Sequence, residues 1–203
     1  EAQDIEALLL ECGVEALPRK RGMIVLDFDA TDDAIHGRQE GRFFHGYYRH
    51  YCYLPLYIFC GSELLCATLR ISQKDAGKAS LVDVERIVGA LRDAWPEVQI
   101  ILRGDSGFCR DELMSWCEEN GVDYLFGHSR NARNQRMMAP AMDTVRRWYE
   151  LTGIPARCFM ELKYKTRKSW SRERRVVAKA EYLDKGSNPR FVVTSLPASQ
   201  YPA

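Results

Sequence analysis

The apolar positions of the chain form two kinds of pattern, stripes at helical spacing and short continuous runs. Residues 4–17 carry apolar side chains three and four positions apart and are followed by Pro18, which predicts a helix. The apolar run 23–26 continues to Asp29, which predicts a strand with acidic residues at its carboxyl end. A polar segment rich in His and Tyr, residues 31–50, follows and is interpreted as a loop.

Two further apolar runs, 53–60 and 64–71, predict a β-hairpin. The short stretch between them contains Gly61, and a glycine in a connection of this length is typical of a tight turn. The first three strands are therefore expected to be consecutive and antiparallel.

The next segment alternates helix and strand. A helical stripe begins after Ser80, in a stretch that resembles a capping box, and Pro96 ends it. The almost wholly apolar stretch 98–102 predicts a strand that is buried on both faces. A helix over about 110–119 and a strand over 122–126 follow. This order of elements predicts an α/β fold, in which helices cover a mixed sheet.

The pattern changes at Asn131. A polar, Arg-rich stretch leads to helical spacing around 142–151. Three strands are then predicted at about 157–165, 172–182 and 190–195. The last third of the chain is therefore expected to be rich in β-structure.

Composition indicates an ordinary globular protein, with 46% hydrophobic and 28% charged residues. No run of about 18 apolar residues occurs, so a membrane span is not expected. The seven cysteines include no Cys-x-x-Cys pair. They indicate thiols in a reducing cytoplasm rather than a disulfide framework or a cysteine zinc site.

Charge is divided unevenly along the chain. Residues 1–128 carry 13 Lys and Arg against 22 Asp and Glu, whereas residues 129–203 carry 16 against 6. An acidic part suited to cations thus precedes a basic part suited to a polyanion, which favours nucleic acid as a partner.

Four carboxylates lie between Asp27 and Asp33, at the end of the first predicted strand. Their repulsion favours a bound cation, and hard carboxylate oxygens suit Mg²⁺ or Mn²⁺. Asp27 and Asp29 share one face of the strand because side chains alternate along it. A solvated acidic turn without a metal is the alternative.

Asp105 follows the predicted strand 98–102 after Arg103 and Gly104. Loops at the carboxyl ends of strands are where α/β folds build sites. If the fourth strand lies beside the first, the carboxylates of Asp105 and Asp29 are expected within about 4–8 Å of each other, close enough to share a metal pair. Capping of the following helix by Asp105 is the alternative.

Three of the four histidines, His36, His45 and His50, lie in the Tyr-rich segment, and His128 follows a predicted strand. No suitably spaced partner completes a zinc site around them. Contact with DNA or plain surface exposure is the favoured interpretation.

A basic cluster with Tyr164 and Trp170 interleaved occupies the last third of the chain. Lys and Arg neutralise phosphates, and exposed aromatic rings stack on unpaired bases. A solvated hairpin face is the alternative. The residues that we expect to contact DNA are Arg130, Arg133, Lys163, Lys165, Arg167, Lys168, Arg172, Arg174 and Arg175.

Several of these segments resemble a known family. Asp29-Ala30-Thr31 resembles the first catalytic motif of the DDE transposases (group 1 type) of bacterial insertion sequences, and the stretch from Leu102 to Phe108 resembles the motif around their second catalytic aspartate. The resemblance covers roughly residues 20–203. It extends to the β-rich insertion of that group, at residues 127–131, 170–181 and 190–196.

The resemblance implies a ribonuclease-H-like core with an inserted β-rich domain. It implies two Mg²⁺ (or Mn²⁺) ions, nicking of element ends and strand transfer to target DNA by a 3′-hydroxyl, with self-association of the full-length enzyme on DNA. Asp29 and Asp105 match the first two catalytic acids, and Asp27 is expected to support them at the metals. The parts are then a helical tail (1–18), the core (19–128) and the basic insertion (129–203).

A third acid is also implied, a glutamate in a helix with the pattern Tyr-x2-Arg-x3-Glu-x6-Lys. Tyr149, Tyr164 and Tyr182 are not followed by this pattern. The chain is therefore expected to be a fragment without its third acid, inactive by itself. A related metal-dependent nuclease or resolvase, and a non-catalytic DNA-binding regulatory domain, are the alternatives.

Overall fold

The computed structural model describes residues 2–18, 22–46, 48–71 and 80–203. The chain forms two compact units, Glu1–Val122 and Asp123–Ala203. This division falls six residues before the expected boundary at residue 128, because the strand over 123–127 belongs to the second unit.

The first unit contains a mixed sheet, a small second sheet and helices. Its elements are α1 (Ala2–Ala16), β1 (Met23–Ala30), β2 (Asp33–Ala34), β3 (Phe43–His45), β4 (His50–Tyr53), β5 (Leu56–Cys60), β6 (Glu63–Thr68), α2 (Leu81–Ala94), β7 (Gln99–Gly104) and α3 (Asp111–Glu119).

The main sheet of this unit has the strand order β6-β5-β1-β7. Strand β1 pairs antiparallel with β5, which forms a hairpin with β6, and parallel with β7. Ile24, Leu26 and Phe28 project from β1 into the core, whereas Asp27 between them is only half-buried. The predicted hairpin and the placement of the fourth strand beside the first are confirmed, and so is the α/β class with helices on a mixed sheet.

Two local predictions for the first unit were wrong. The segment interpreted as a loop contains the small sheet β2-β4-β3, because aromatic residues such as Phe43 and Tyr51 favour extended structure even among polar neighbours. At the start of α2, the Ser80 side chain makes no capping hydrogen bond.

The second unit packs one long helix against antiparallel strands. Its elements are β8 (Asp123–Gly127), α4 (Ala132–Thr152), β9 (Ala156–Tyr164), β10 (Arg174–Leu183), β11 (Gly186–Ser187) and β12 (Arg190–Thr194). Strand β10 is central, pairing with β9, β11 and β12, and β12 pairs with β8. The three strands predicted after residue 156 are confirmed.

Helix α4 begins ten residues before the predicted segment. Asn131 caps it: its side chain accepts hydrogen bonds from the backbone N–H groups of Arg133 and Asn134, and Oδ1 of Asn134 accepts one from the backbone N–H of Asn131. The helix continues through Pro140 and ends at Gly153, which has φ 69°.

None of the seven cysteines, all within the described ranges, forms a disulfide. In the described part of the chain, no helix is both long and apolar enough to cross a membrane.

Candidate active site

The parallel pairing of β1 with β7 positions the two candidate acids. The register aligns Asp27 with Arg103 and Phe28 with Gly104. The next residues are Asp29, near the end of β1, and Asp105, just beyond β7, so the two residues lie side by side at the same edge of the sheet, where the backbones of neighbouring strands are about 4.8 Å apart. Both residues are exposed.

Asp27 lies two residues before Asp29, and its carboxylate is already hydrogen-bonded. Its Oδ2 accepts a hydrogen bond of 2.7 Å from Nη2 of Arg103, and its Oδ1 accepts a second bond from Nε of the same side chain. This fork raises the pKa of Arg103 through the hydrogen bonds and the charge of Asp27. The contact shows that Asp27 and Arg103 project from the same face of the two strands. Because side chains alternate along a strand, Asp29 projects from that face as well.

The backbone around Asp105 is fixed by packing at Gly104. A Cβ atom on Gly104 would lie 2.8 Å from Cδ2 of Phe108 and 3.3 Å from Cβ of Phe28. The two phenylalanine rings meet edge to face with centroids 5.3 Å apart. Beyond Gly104, Oδ1 of Asp105 accepts a 2.7 Å hydrogen bond from the Gly107 backbone N–H. The turn therefore holds Asp105, and the N-cap of α3 is Arg110, five residues later.

The chemistry of the donors suits a divalent cation. Mg²⁺ is usually held by one or two carboxylates together with substrate phosphates and water. Asp29 and Asp105 supply two exposed carboxylates of this kind. No three His, Cys, Asp or Glu side chains converge into a complete protein-only metal site within residues 2–18, 22–46, 48–71 and 80–203.

The acidic turn after Asp29 is tied to the small sheet. Asp32 forms an ion pair with His50, with 2.7 Å between Oδ2 and Nε2. His45 and His50 are register partners in β3 and β4. This contact connects β4 to the segment that follows β1, because Asp32 lies only three residues after Asp29.

The expected DNA contacts of the second unit separate into exposed and packed side chains. Arg174 is buried, 4% exposed, with its guanidinium 5.6 Å from the Trp170 ring. Arg175 donates a 2.6 Å hydrogen bond to Glu161, and this bond lowers the pKa of Glu161. Arg175 also donates to two backbone carbonyls. The exposed members of the set are Arg130, Arg133, Lys163, Lys165, Arg167, Lys168 and Arg172.

The connection between β9 and β10, residues 165–173, carries most of these exposed charges and is ordered internally. The Thr166 hydroxyl accepts hydrogen bonds from the backbone N–H groups of Ser169 and Trp170 at 3.1 and 2.7 Å. Lys165 donates to the Ser171 carbonyl at 2.8 Å. We call residues 165–173 the basic loop.

An aromatic cluster anchors the basic loop. Tyr164 and Trp170 are each 5% exposed, and the His128 ring lies 5.0 and 5.2 Å from them. Burial lowers the pKa of His128. The expectation that these two aromatic rings stack on bases was wrong, because both rings are buried, meet edge to face, and are covered by the guanidinium groups of Arg133 and Arg174.

Comparison with protein families gives one match. The model of the family described as transposase DDE domain group 1 matches residues 1–202. The chain belongs to this family. Asp29 and Asp105 lie within the matched residues of this DDE domain, but the comparison assigns no role to individual positions.

A solved structure that is similar to this DDE domain shares little sequence identity with it. The chain resembles a piggyBac transposase in a synaptic complex with hairpin DNA, with 11% identity over 85% of the chain and a TM-score of 0.46. The chain spans about a third of that protein's length, since 33% of it is covered. No curated protein matches the chain.

Arg103 is the residue of this DDE domain that sequence reasoning missed. No role was predicted for it, although its side chain binds Asp27 across the strand pair. The sequence does contain a signal for this contact. Arg103 lies two residues before Asp105, and Asp27 lies two residues before Asp29, so parallel pairing of the two strands places Arg103 opposite Asp27.

Proposed function

We propose that this DDE domain is the catalytic core of a DNA transposase, which cleaves element ends and transfers the strands to target DNA with the help of divalent metal ions. The observation that supports this most strongly is the β1–β7 register, which brings Asp29 and Asp105 out side by side at the carboxyl edge of neighbouring parallel strands.

Asp29 and Asp105 are the residues that would hold Mg²⁺ or Mn²⁺, two ions in the complete site. Bound there, the ions would neutralise charge on the scissile phosphate and lower the pKa of an attacking water or 3′-hydroxyl. The carboxylates themselves must stay ionised and oriented. The Gly107 N–H orients the Asp105 carboxylate, because it donates a 2.7 Å hydrogen bond to Oδ1.

Asp27 acts as a supporting acid in this proposal. Arg103 binds both of its oxygens and balances its charge, so that three acidic side chains are not left to repel one another on one face of β1 and β7. Arg103 thereby positions Asp27.

The basic loop supplies the second part of the proposal, a surface for duplex DNA. Its Lys165, Arg167, Lys168 and Arg172, with Lys163, Arg130 and Arg133 outside it, are exposed. Phosphate contacts by such residues position DNA without reading its sequence. Arg174 and Arg175 are left out of this surface because Arg174 is buried and the Arg175 side chain is only 16% exposed.

The proposal is tested by end cleavage in a transposase that contains this domain, with Mg²⁺ and DNA carrying the ends of its element. Asp29→Ala and Asp105→Ala should each abolish nicking and strand transfer, whereas Asp33→Ala should retain them. Full activity of Asp105→Ala would overturn the assignment. Cleavage without transfer would favour a nuclease or resolvase, and DNA binding without any cleavage would favour a regulatory domain.

The third acid that the resemblance implies has no counterpart among the tyrosine patterns of the sequence. We therefore expect the 203 residues alone to show no Mg²⁺-dependent cleavage, because two carboxylates leave the second ion poorly held. Asp105-dependent cutting by the 203-residue chain would show that a third acid is present in it.

A further inference from the structure

The small sheet of the first unit exposes two aromatic rings side by side. Phe44 in β3 and Tyr51 in β4 are register partners and are 59% and 45% exposed. Their ring centroids are 5.6 Å apart in an edge-to-face contact. Their strand neighbours Phe43 and Cys52 occupy the opposite, more buried face. The two rings therefore contribute little to the core of the unit.

Arg42 extends this pair. Its guanidinium lies 4.8 Å from the centre of the Tyr51 ring, and one of its N–H groups donates to the Gly37 carbonyl. A guanidinium has five N–H donors, so donors remain for another acceptor. We call Phe44, Tyr51 and Arg42 the aromatic platform. Rings that stack on bases beside a cation that pairs with phosphate are the combination found where proteins bind single-stranded nucleic acid.

The charge of this segment differs from that of its surroundings. Residues 36–51 contain three arginines, Arg38, Arg42 and Arg49, but only one acidic residue, a glutamate. The first 128 residues as a whole are acidic. Arg49 is exposed in the turn between β3 and β4, where it takes the left-handed conformation with φ 59° and its N–H donates to the His45 carbonyl at 2.8 Å. Local positive charge next to exposed rings fits a polyanion with bases better than it fits an apolar protein surface.

The position of the platform relates it to the acids. The small sheet joins the main sheet through residues 31–32, which follow Asp29, and residues 54–55, which lead into β5. Strand β5 then pairs Tyr57 with Asp29. The Asp32–His50 ion pair, 2.7 Å long, fastens β4 to the end of β1. The platform is thus attached at the end of β1 where Asp29 lies.

From these observations we infer that the aromatic platform binds an unpaired stretch of DNA, with bases stacked on Phe44 and Tyr51 and a phosphate held by Arg42. This inference rests on the proposed function, since it gives the unpaired strand a place beside Asp29. It adds a second DNA surface to the basic loop, one that distinguishes single strands from duplex.

The test is fluorescence anisotropy with labelled oligothymidylate and with a duplex of equal length, both in EDTA so that metal binding plays no part. Phe44→Ala and Tyr51→Ala should each weaken oligothymidylate binding by about tenfold, because one base no longer stacks. Duplex affinity should stay unchanged. Phe44→Trp and Tyr51→Phe keep a ring and should keep the affinity.

Two controls separate stacking from other effects. Phe159→Ala removes a ring of similar exposure from β9 and should change neither affinity. Phe44→Leu keeps an apolar side chain without a π-face and should behave as Phe44→Ala does. Wild-type affinity in Phe44→Leu would overturn base stacking, and a surface that binds another protein would leave oligothymidylate binding unchanged in all platform variants.

The outcomes also distinguish this inference from the proposed function. Unaltered oligothymidylate affinity in Phe44→Ala and Tyr51→Ala, with duplex binding and end cleavage intact, overturns the platform alone. An equal weakening for both DNA forms likewise overturns it, because the platform would not discriminate. Failure to bind either form at low salt overturns the platform and counts against the transposase proposal together with it.

Discussion

Arg103 on β7 holds the carboxylate of Asp27 on β1 through two hydrogen bonds, one residue pair before the last aligned pair of the two parallel strands. The contact does two things for the candidate site. It holds the two strands in the register that brings Asp29 beside Asp105. The Arg103 guanidinium also balances the charge of Asp27, which would otherwise add to the charges of the other two acids.

The energetic part of this contact is testable by a double-mutant cycle. Arg103→Gln and Asp27→Asn should each destabilise the chain only slightly, because the two side chains are 56% and 36% exposed. Their coupling energy in urea denaturation should be about 0.2–1 kcal/mol. Strictly additive effects of the two substitutions would mean that the pair contributes nothing to the register.

Gly104→Ala should destabilise the chain by about 1–3 kcal/mol, because the added Cβ overlaps Phe108 and presses on Phe28. Gly89→Ala is the matched control. Gly89 lies in α2 with no heavy atom within 4 Å of the added methyl group, so its replacement should stabilise the chain by about 0.5–1 kcal/mol. Both values come from urea unfolding, and equal effects would contradict the packing at Gly104.

The buried His128 predicts a dependence of stability on pH. Burial lowers the pKa of His128 in the folded chain below its usual value of 6.5. The unfolded chain therefore takes up the proton first as the pH falls, and the free energy of unfolding decreases below about pH 6.5, levelling off below the folded pKa.

His128→Gln should flatten this part of the profile, which is measured as the melting temperature at a series of pH values. His36→Gln replaces an exposed histidine and serves as the control, since it should leave the profile unchanged. A wild-type profile that keeps the same slope in His128→Gln would show that burial of His128 is not its cause.

The basic loop predicts salt-dependent binding of duplex DNA. The triple change Arg167→Ala, Lys168→Ala and Arg172→Ala should weaken binding and reduce the slope of log affinity against log salt by about 0.9 for each phosphate that is no longer neutralised. The triple change Arg147→Ala, Lys185→Ala and Arg190→Ala removes the same number of exposed charges elsewhere in the unit. Equal weakening in the two triples would show that net charge, rather than the basic loop, determines binding.

Much of this architecture could be predicted from the sequence, because burial leaves a direct trace in it. The apolar run 23–26 and the almost wholly apolar stretch 98–102 predicted two neighbouring strands, and the acids after them then indicated the candidate site. The small sheet was missed because its strands have only two to four residues, too few for a period to show.

Other misses concern side chains whose roles depend on distant partners. Nothing in the sequence distinguishes Arg174 from Arg172. In the structure, Arg174 lies on the buried side of its strand and contacts the Trp170 ring. The position of Trp170 among basic residues predicts base stacking, and only its burial beside His128 shows otherwise. Exposed rings occur instead at Phe44 and Tyr51, in the segment interpreted as a loop.

The central claim is that Asp29 and Asp105 together hold a divalent metal ion. Electron paramagnetic resonance of Mn²⁺, titrated into the chain with and without duplex DNA, measures this directly. We predict that wild-type protein and Asp33→Asn bind Mn²⁺ alike and more tightly with DNA present, and that Asp29→Asn and Asp105→Asn each abolish the bound signal. Unchanged Mn²⁺ binding in both of the latter variants, or its loss in Asp33→Asn, would contradict the account and point to a solvated acidic turn.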